Sequence, residues 1–157
     1  MSSSLERGRA ASLTPEDFAD INNLLQQLDP ESRNIDREIF REVEQSGVIL
    51  IKRGETADES DRYPIVGMAT ILFVSQLRGD VAWIHDVVVH EAYRGRGIGE
   101  ELLLALVEEG CRRGVPYIDL TSRPSRVAAN ALYAKIGFER RDTNVYRLRL
   151  DSQTTAG

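Results

Sequence analysis

The sequence has very little cysteine and no long apolar run. Cys111 is the single cysteine among the 157 residues, so the chain cannot form an internal disulfide. Because disulfides belong to oxidising compartments, and the N-terminus has no apolar core of signal-peptide length, we expect a cytoplasmic protein. No apolar run approaches the roughly 20 residues of a membrane-spanning helix, so no membrane partner is predicted.

The sequence also has no excess of positive charge. The chain has 20 Lys and Arg against 25 Asp and Glu, which gives a formal net charge of −5. This balance argues against a general nucleic-acid binder and favours a cationic ligand or partner. No metal site is predicted. The length and the 41% hydrophobic content fit one domain at residues 13–150, between a flexible N-terminal segment at 1–12 and a flexible tail at 151–157.

Hydrophobic periodicity and turn residues predict a mixed sheet with helices on its faces. Predicted helices lie at about 15–28, 35–45, from the glycine-rich turn to 113, and at 125–136. Predicted strands lie at 48–52, 65–75, 81–89, 117–121 and 144–150. The first three strands are typical of an antiparallel meander, whereas the strand, helix and strand between 81 and 121 indicate a parallel pair. The fold class is therefore α+β, with a mostly antiparallel sheet.

A glycine-rich turn separates the strand at 81–89 from the following helix. Glycine adopts positive φ and allows a ligand close to the backbone, and the first N–H groups of a helix attract phosphate. Alternatively, the glycines could serve only to make a tight connection between strand and helix, without binding a ligand. Three glycines flanked by two arginines favour an anion site. The residues of this predicted site are Arg94, Gly95, Arg96, Gly97, Ile98, Gly99 and Glu100.

The spacing of the glycines separates the possible phosphate ligands. A dinucleotide fingerprint beginning at Gly95 requires glycine at position 100, which is Glu100, and no Walker lysine follows the turn. Asp119 lies about 20 residues further on, where a ribose-binding acid would stand, so dinucleotide binding remains an alternative. The lack of repeated strand-helix-strand units counts against it.

Two segments carry a resemblance to a known family. RGRGIG, residues 94–99, resembles the acetyl-coenzyme A signature of the GNAT N-acetyltransferase superfamily, and RVAANALYAKIGFE, residues 126–139, is similar to its second signature. The resemblance implies that the parallel strands splay apart to form an acetyl-CoA cleft. The pantetheine amides would pair with the backbone of Val87, Val88 and Val89, and the pyrophosphate would cap the helix.

The second signature supplies a candidate acid. Helical spacing places Arg126, Asn130 and Tyr133 within one arc of roughly 60°, opposite an apolar side. A solvated surface is the structural alternative. The resemblance implies that Tyr133 protonates the departing thiolate. Many family members have asparagine at the position of Arg126, so this sequence departs from the pattern, and Arg126 and Asn130 are both predicted cofactor contacts.

A base must also remove a proton from the attacking amine, because a free alkylamine is mostly protonated at neutral pH. His85 and Asp86 directly precede the valine run, and strand alternation points them to opposite faces. His85 has an equally simple interpretation as a partly exposed strand histidine. His90 and Glu91 are weaker candidates.

The resemblance therefore implies an acetyl-CoA-dependent N-acetyltransferase in which a primary amine attacks directly. The acceptor is predicted to be a small cationic amine or a lysine or N-terminal amine of a protein. There are two alternatives: an acyltransferase that uses a longer acyl-CoA, and a sensor that binds acetyl-CoA without turnover. A homodimer is a family-level expectation.

Overall fold

The computed structural model describes residues 4–55 and 62–150. Within them, the sheet has the order β1-β2-β3-β4-β5; its first four strands are antiparallel, and β4 and β5 are parallel. This arrangement confirms the predicted mixed sheet and its meander. The elements are β1 (Leu5–Arg7), α1 (Pro15–Leu28), α2 (Arg37–Ser46), β2 (Gly47–Arg53), β3 (Ile65–Val74), β4 (Val81–Val89), a 3-10 turn (Glu91–Tyr93), α3 (Ile98–Arg113), β5 (Ile118–Leu120) and α4 (Val127–Ile136).

Helix boundaries follow the capping residues. Thr14 Oγ1 accepts a hydrogen bond from Asp17 N at 3.2 Å, and the Asp17 carboxylate accepts one from Thr14 N at 3.0 Å. This reciprocal pair satisfies two N–H groups at the start of α1. The C-terminal ends of α3 and α4 are capped by Gly114 and Gly137, which both have positive φ.

The two faces of the sheet bury two separate cores. On one face, Ile49 and Ile51 of β2 pack with α1 and α2 residues such as Ile21 and Phe40. On the other face, Leu50 packs in a cluster with leucines of α3 and with partly buried side chains of α4. Alternation along β2 thus places helices on both sides of one sheet.

The predicted strand at 144–150 is wrong. Residues 139–150 contain no helix or strand, and every one of them is exposed. Alternating side chains specify a strand only where a neighbouring strand supplies hydrogen-bond partners, and no described strand pairs with this segment.

Part of the N-terminal segment that we predict to be flexible, residues 4–12, contains a strand and a buried side chain. Leu5–Arg7 forms β1 and pairs with β2 in antiparallel register. Arg7 Nη2 also lies 2.5 Å from Glu109 Oε1 of α3, and Ala10 is buried. Residues 1–3 and the predicted tail at 151–157 lie outside the described residues.

Candidate active site

The parallel strands β4 and β5 separate partway along β4. Their pairing ends where Ile84 meets Leu120, whereas β4 continues beside β3 to Val89. Among the described residues, no strand pairs with β4 from His85 to Val89 on the β5 side. Along this length, the backbone N–H and C=O groups that face away from β3 are available to a ligand that can add as a strand, except that Val89 O accepts a hydrogen bond from Arg94 Nε. The parallel pair is therefore present as predicted, and β4 extends beyond it.

A β-bulge lies at the point where the strands separate. Asp86 has φ +53°, which makes it the one described non-glycine residue with positive φ, and the β3–β4 register shifts between Met68 and Thr70. A bulge breaks the alternation of side chains. His85 and Asp86 are both exposed, and their placement on opposite faces of the sheet stays a prediction.

Burial and the neighbouring His85 act on the pKa of Asp86 in opposite directions. Surrounding protein atoms exclude enough water to raise the pKa of the Asp86 carboxyl, although water still reaches the side chain, and nearby His85 opposes this rise. His85 itself stacks on Trp83, with ring centroids 6.5 Å apart. A carboxyl with a raised pKa is a better proton acceptor near neutral pH than an ordinary aspartate.

The glycine turn has two conformationally required glycines. Gly95 and Gly97 have φ of +76° and +79°, with open space where a Cβ would be, while Gly99 lies inside α3 without positive φ. The first hydrogen bond of α3 runs from Glu101 N to Gly97 O at 3.0 Å. The preceding helical N–H groups have no intrahelical acceptor, so they can bind an anion.

The two arginines of the turn contact its own backbone. Arg94 Nε donates to Val89 O at 3.0 Å, and Arg96 Nη2 donates to Ala92 O at 3.2 Å. Arg96 also lies over the Tyr93 ring, 5.0 Å from its centroid. Each guanidinium has further N–H donors, so bracing the turn does not prevent contact with a phosphate.

Two acidic side chains in the first turn of α3 are each paired with a lysine. Glu100 Oε2 lies 2.6 Å from Lys135 Nζ of α4, and Glu101 Oε1 lies 2.7 Å from Lys52 Nζ of β2. Unpaired carboxylates here would oppose the binding of an anion at the helix start. Pairing reduces that repulsion and leaves the helix dipole and the two arginines to attract a phosphate.

Tyr133 lies on α4, and α4 packs beside this turn. Its helix neighbour Leu132 would be 3.4 Å from a Cβ added at Gly99, and Val89 would be 3.8 Å from the same atom. The end of β4, the start of α3 and α4 therefore converge. Burial raises the pKa of the Tyr133 phenol, and the charge of Arg126 partly opposes this rise. Tyr133 is thus protonated at neutral pH and can donate a proton.

The two predicted cofactor contacts on α4 already contact protein backbone. Arg126 Nη2 donates to Leu28 O, the last residue of α1, at 3.0 Å, and Asn130 Nδ2 donates to Arg123 O at 3.0 Å. Arg126 thereby joins α4 to α1 while its charge acts on Tyr133.

Sequence reasoning missed two residues near the cleft. Lys135 neutralises Glu100 across two helices, and no local pattern could indicate that pairing. Ser122 follows β5 and has a buried hydroxyl that finds no hydrogen-bond partner among the described residues. A buried hydroxyl without a partner is available to a bound molecule.

A bare strand edge that leads into an anion-attracting helix start is suited to a long ligand with amide and phosphate groups. The family model described as Acetyltransferase (GNAT) family matches residues 16–138. The chain therefore belongs to the GNAT acetyltransferase family, which confirms the resemblance of its two signatures. No helix within residues 4–55 and 62–150 combines the length and apolarity required to cross a bilayer.

Curated relatives share part of the chain. L-2,4-diaminobutyric acid acetyltransferase of Marinococcus halophilus is 34% identical over 89 residues, which are 57% of this chain and 49% of that protein. The [Ribosomal protein bS18]-alanine N-acetyltransferase of Escherichia coli is 35% identical over 72 residues, 46% of this chain and 49% of that protein. The chain thus spans about half the length of these curated relatives.

Solved structures share the fold over nearly the whole chain. The structure of AAC(6')-Iy in complex with a bisubstrate analogue, CoA-S-monomethyl-acetylneamine, has a TM-score of 0.72 and 16% identity, and the match covers 96% of this chain and 100% of that one.

Proposed function

We propose that this protein is an N-acetyltransferase that transfers the acetyl group of acetyl-CoA to a primary amine by direct attack. The observation that carries the proposal is the unpaired edge of β4, which runs from His85 to Val89 and leads to the start of α3. Family membership and the relatives named as amine acetyltransferases support the same reaction.

Backbone groups would hold most of the cofactor. The amides of pantetheine add to β4 at Val87, Val88 and Val89 as a strand would, and the pyrophosphate meets the N–H groups from Gly95 to Glu100. Val88 is itself buried in the core, so its side chain fixes the strand and leaves the backbone for the ligand. Arg94 and Arg96 add positive charge. Arg126 and Asn130 line the same region from α4.

The side chains at the bulge would activate the amine. Asp86, with its raised pKa, or His85 removes a proton from the ammonium form, directly or through a water molecule. The neutral nitrogen forms a bond to the thioester carbonyl carbon, and backbone N–H groups of β4 stabilise the negative charge on the carbonyl oxygen. As the carbon–sulfur bond breaks, Tyr133 donates its proton to the thiolate. The acetylated nitrogen loses its second proton to become a neutral amide, and this proton returns to Tyr133 through water.

The acceptor is proposed to be a small cationic amine or a protein amine. The relatives' names include one small diamine acid and one ribosomal protein alanine, so both classes have support. The net charge of −5 favours a cationic acceptor. We place the protein in the cytoplasm, and we propose that it works as a homodimer.

The test is thiol release from acetyl-CoA with a panel of diamines, amino acids, aminoglycosides and peptides with lysine or alanine N-termini. Tyr133→Phe should lower kcat by about 100-fold with little change in acetyl-CoA affinity, because it removes the proton donor and keeps the ring. Tyr117→Phe is the matched control, since Tyr117 is an exposed tyrosine outside the cleft.

Three results would redirect the proposal. Turnover with longer acyl-CoA and none with acetyl-CoA would identify a different acyl donor. Stabilisation by acetyl-CoA without turnover of any amine would indicate a sensor. Stabilisation by NAD and not by CoA would return the site to dinucleotide binding.

A further inference from the structure

Arg126 is a partly buried cation without an anionic partner among the described residues. Its Nη2 donates to the carbonyl oxygen of Leu28 at 3.0 Å, and no carboxylate in the part of the chain that the structure describes pairs with it. Lys52 and Arg53, which are also shielded from water, each contact a carboxylate. A charge removed from water is normally compensated by an opposite charge, and a guanidinium has five N–H donors. Arg126 is therefore suited to bind an anionic group of a ligand.

The last turn of α1 contacts the chain that follows each of the two parallel strands. Gln27 Oε1 accepts a hydrogen bond from Glu91 N at 3.0 Å, just beyond the end of β4. The next residue, Leu28, accepts the hydrogen bond from Arg126, which lies in the chain beyond β5. One turn of helix thus bridges the two strands at the end of the bare β4 edge. The guanidinium of Arg126 lies at this bridge.

Arg126 connects helices that lie on opposite faces of the sheet. α1 belongs to the core that contains Val88, whereas α3 and α4 belong to the core that contains Ile84. The proposed phosphate site at the start of α3 is therefore on the α4 face, beside Lys135 in the last turn of α4. Lys135 follows Arg126 by nine positions, which is about 13 Å of helix, and the Arg126 side chain extends towards α1. A ligand anion at Arg126 is thus a different group from the pyrophosphate.

We infer that Arg126 binds the carboxylate of the acceptor, and that this acceptor is an amino acid with a second amine on its side chain. The cofactor is proposed to occupy the α3 and α4 face, which leaves the α1 face, where the Arg126 side chain ends, for the approach of the amine.

The distance between Arg126 and the candidate acid favours a diamino acid. Tyr133 follows Arg126 by two helical turns, about 10 Å, so the carboxylate and the reacting amine should be several bonds apart. Lysine and ornithine meet this requirement. Each has one net positive charge at neutral pH, which agrees with the net charge of −5 of the chain. The inference rests on the proposed acetyl transfer, because it names the acceptor of that reaction.

The test measures thiol release with pairs of acceptors that differ only in the carboxylate. Lysine is compared with 1,5-diaminopentane, and ornithine with 1,4-diaminobutane. The parent should have a higher kcat/KM for each amino acid than for its matched diamine, mainly through a lower KM. Arg126→Gln should reduce this preference by about 10- to 100-fold, the range expected when a hydrogen-bonded ion pair is lost.

Two further variants control the comparison. Arg126→Lys keeps the charge but not the planar guanidinium, so it should retain part of the preference. Arg123→Gln removes an exposed arginine of the same connection and should retain all of it. Thermal melting checks that each variant is folded. If Arg126→Gln does not fold, the preference of the parent and its reduction in Arg126→Lys decide the result.

Calorimetric titration of lysine and 1,5-diaminopentane into protein saturated with coenzyme A tests the carboxylate site without turnover. Lysine that binds the parent more tightly than the diamine, and loses this advantage in Arg126→Gln, supports the site. If the same parent acetylates no amine, the proposed transfer alone fails.

Three results overturn the inference. A parent without preference for the amino acids, in turnover and in binding, has no carboxylate site. An equal loss for both members of a pair in Arg126→Gln would show that Arg126 acts only through its hydrogen bond to α1. Weaker binding of coenzyme A to Arg126→Gln, with the amino-acid preference retained, would assign Arg126 to the cofactor.

Discussion

Lys135 of α4 and Glu100 of α3 form an ion pair, with Nζ 2.6 Å from Oε2, at the start of the helix that we propose binds pyrophosphate. The pair connects the helix that carries the candidate acid to the helix that carries the anion site. Because Lys135 is 65% exposed, the pair adds little to folding stability. Its main effect is on the charge that an incoming phosphate meets.

Replacing Lys135 with Gln should weaken acetyl-CoA binding by about two- to fivefold at low salt, the range expected for one charge at a helix terminus. Glu100 would then repel the phosphate without compensation. Calorimetric titration at low and high salt measures the effect, which should shrink with salt. Lys135→Arg keeps the charge and should bind normally, so an equal loss in both variants would contradict the charge argument.

Gly97→Ala and Gly99→Ala should behave differently although the two glycines are only two positions apart. Alanine at Gly97 must adopt φ near +79°, which costs about 1–2 kcal/mol. Gly99 is helical, and an added Cβ would meet only ordinary contacts at 3.4 and 3.8 Å, so alanine there should keep or raise stability. Urea denaturation distinguishes the two, and equal destabilisation would show that conformation is not the reason for Gly97.

Asp86→Asn should raise thermal stability at neutral pH. Burial raises the pKa of Asp86 in the folded state above its ordinary value of 3.8. The folded protein then holds this proton more tightly than the unfolded chain, so stability falls as pH rises through that window. Asparagine removes the charge and tolerates positive φ. The melting temperatures of the variant and the parent should converge near pH 3 and differ at pH 7. A larger difference at pH 3 than at pH 7 would contradict the raised pKa of Asp86.

Asp17→Asn should lower stability by about 2–3 kcal/mol at pH 7, because it breaks a buried ion pair with Arg53. Burial acts to raise the pKa of Asp17, but hydrogen bonds from Arg53 and the Thr14 backbone outweigh burial and lower it. Stability from such a group is present above pH 3.8 and is lost as pH falls.

Urea denaturation of the parent and of Asp17→Asn at pH 7 and at pH 3 measures the stability that the Asp17 carboxylate contributes. The two proteins should differ more at pH 7 than at pH 3. Glu6→Gln is the control, because Glu6 pairs with the same Arg53 at 2.7 Å but is 42% exposed. Its cost should stay below about 1 kcal/mol. A larger loss from Glu6→Gln than from Asp17→Asn would show that burial does not set the strength of these pairs.

Local chemistry predicted most of the fold. Thr14 and Pro15 mark the start of α1, and Gly114 and Gly137 mark helix ends, because capping depends on only a few adjacent residues. Glycine spacing likewise predicted a turn with positive φ, which the structure has at Gly95 and Gly97, because this requirement is local.

Features that depend on distant partners could not be predicted from the sequence. The segment at 144–150 alternates like a strand, yet alternation does not supply a partner. The bulge at Asp86 leaves no pattern in the sequence, because it arises from a register shift against β3. Arg126 and Leu28 are 98 positions apart, so no spacing rule connects them.

The hydrogen bond from Arg126 to Leu28 joins the last residue of α1 to the first turn of α4. α1 packs against β4, which carries the candidate bases His85 and Asp86, and α4 carries Tyr133. A change of α1 that suits a new amine therefore also displaces the anchor of the proton donor. Over evolutionary time, we expect acceptor preference and turnover rate in such proteins to change together, with substitutions in one helix accompanied by adjustments in the other.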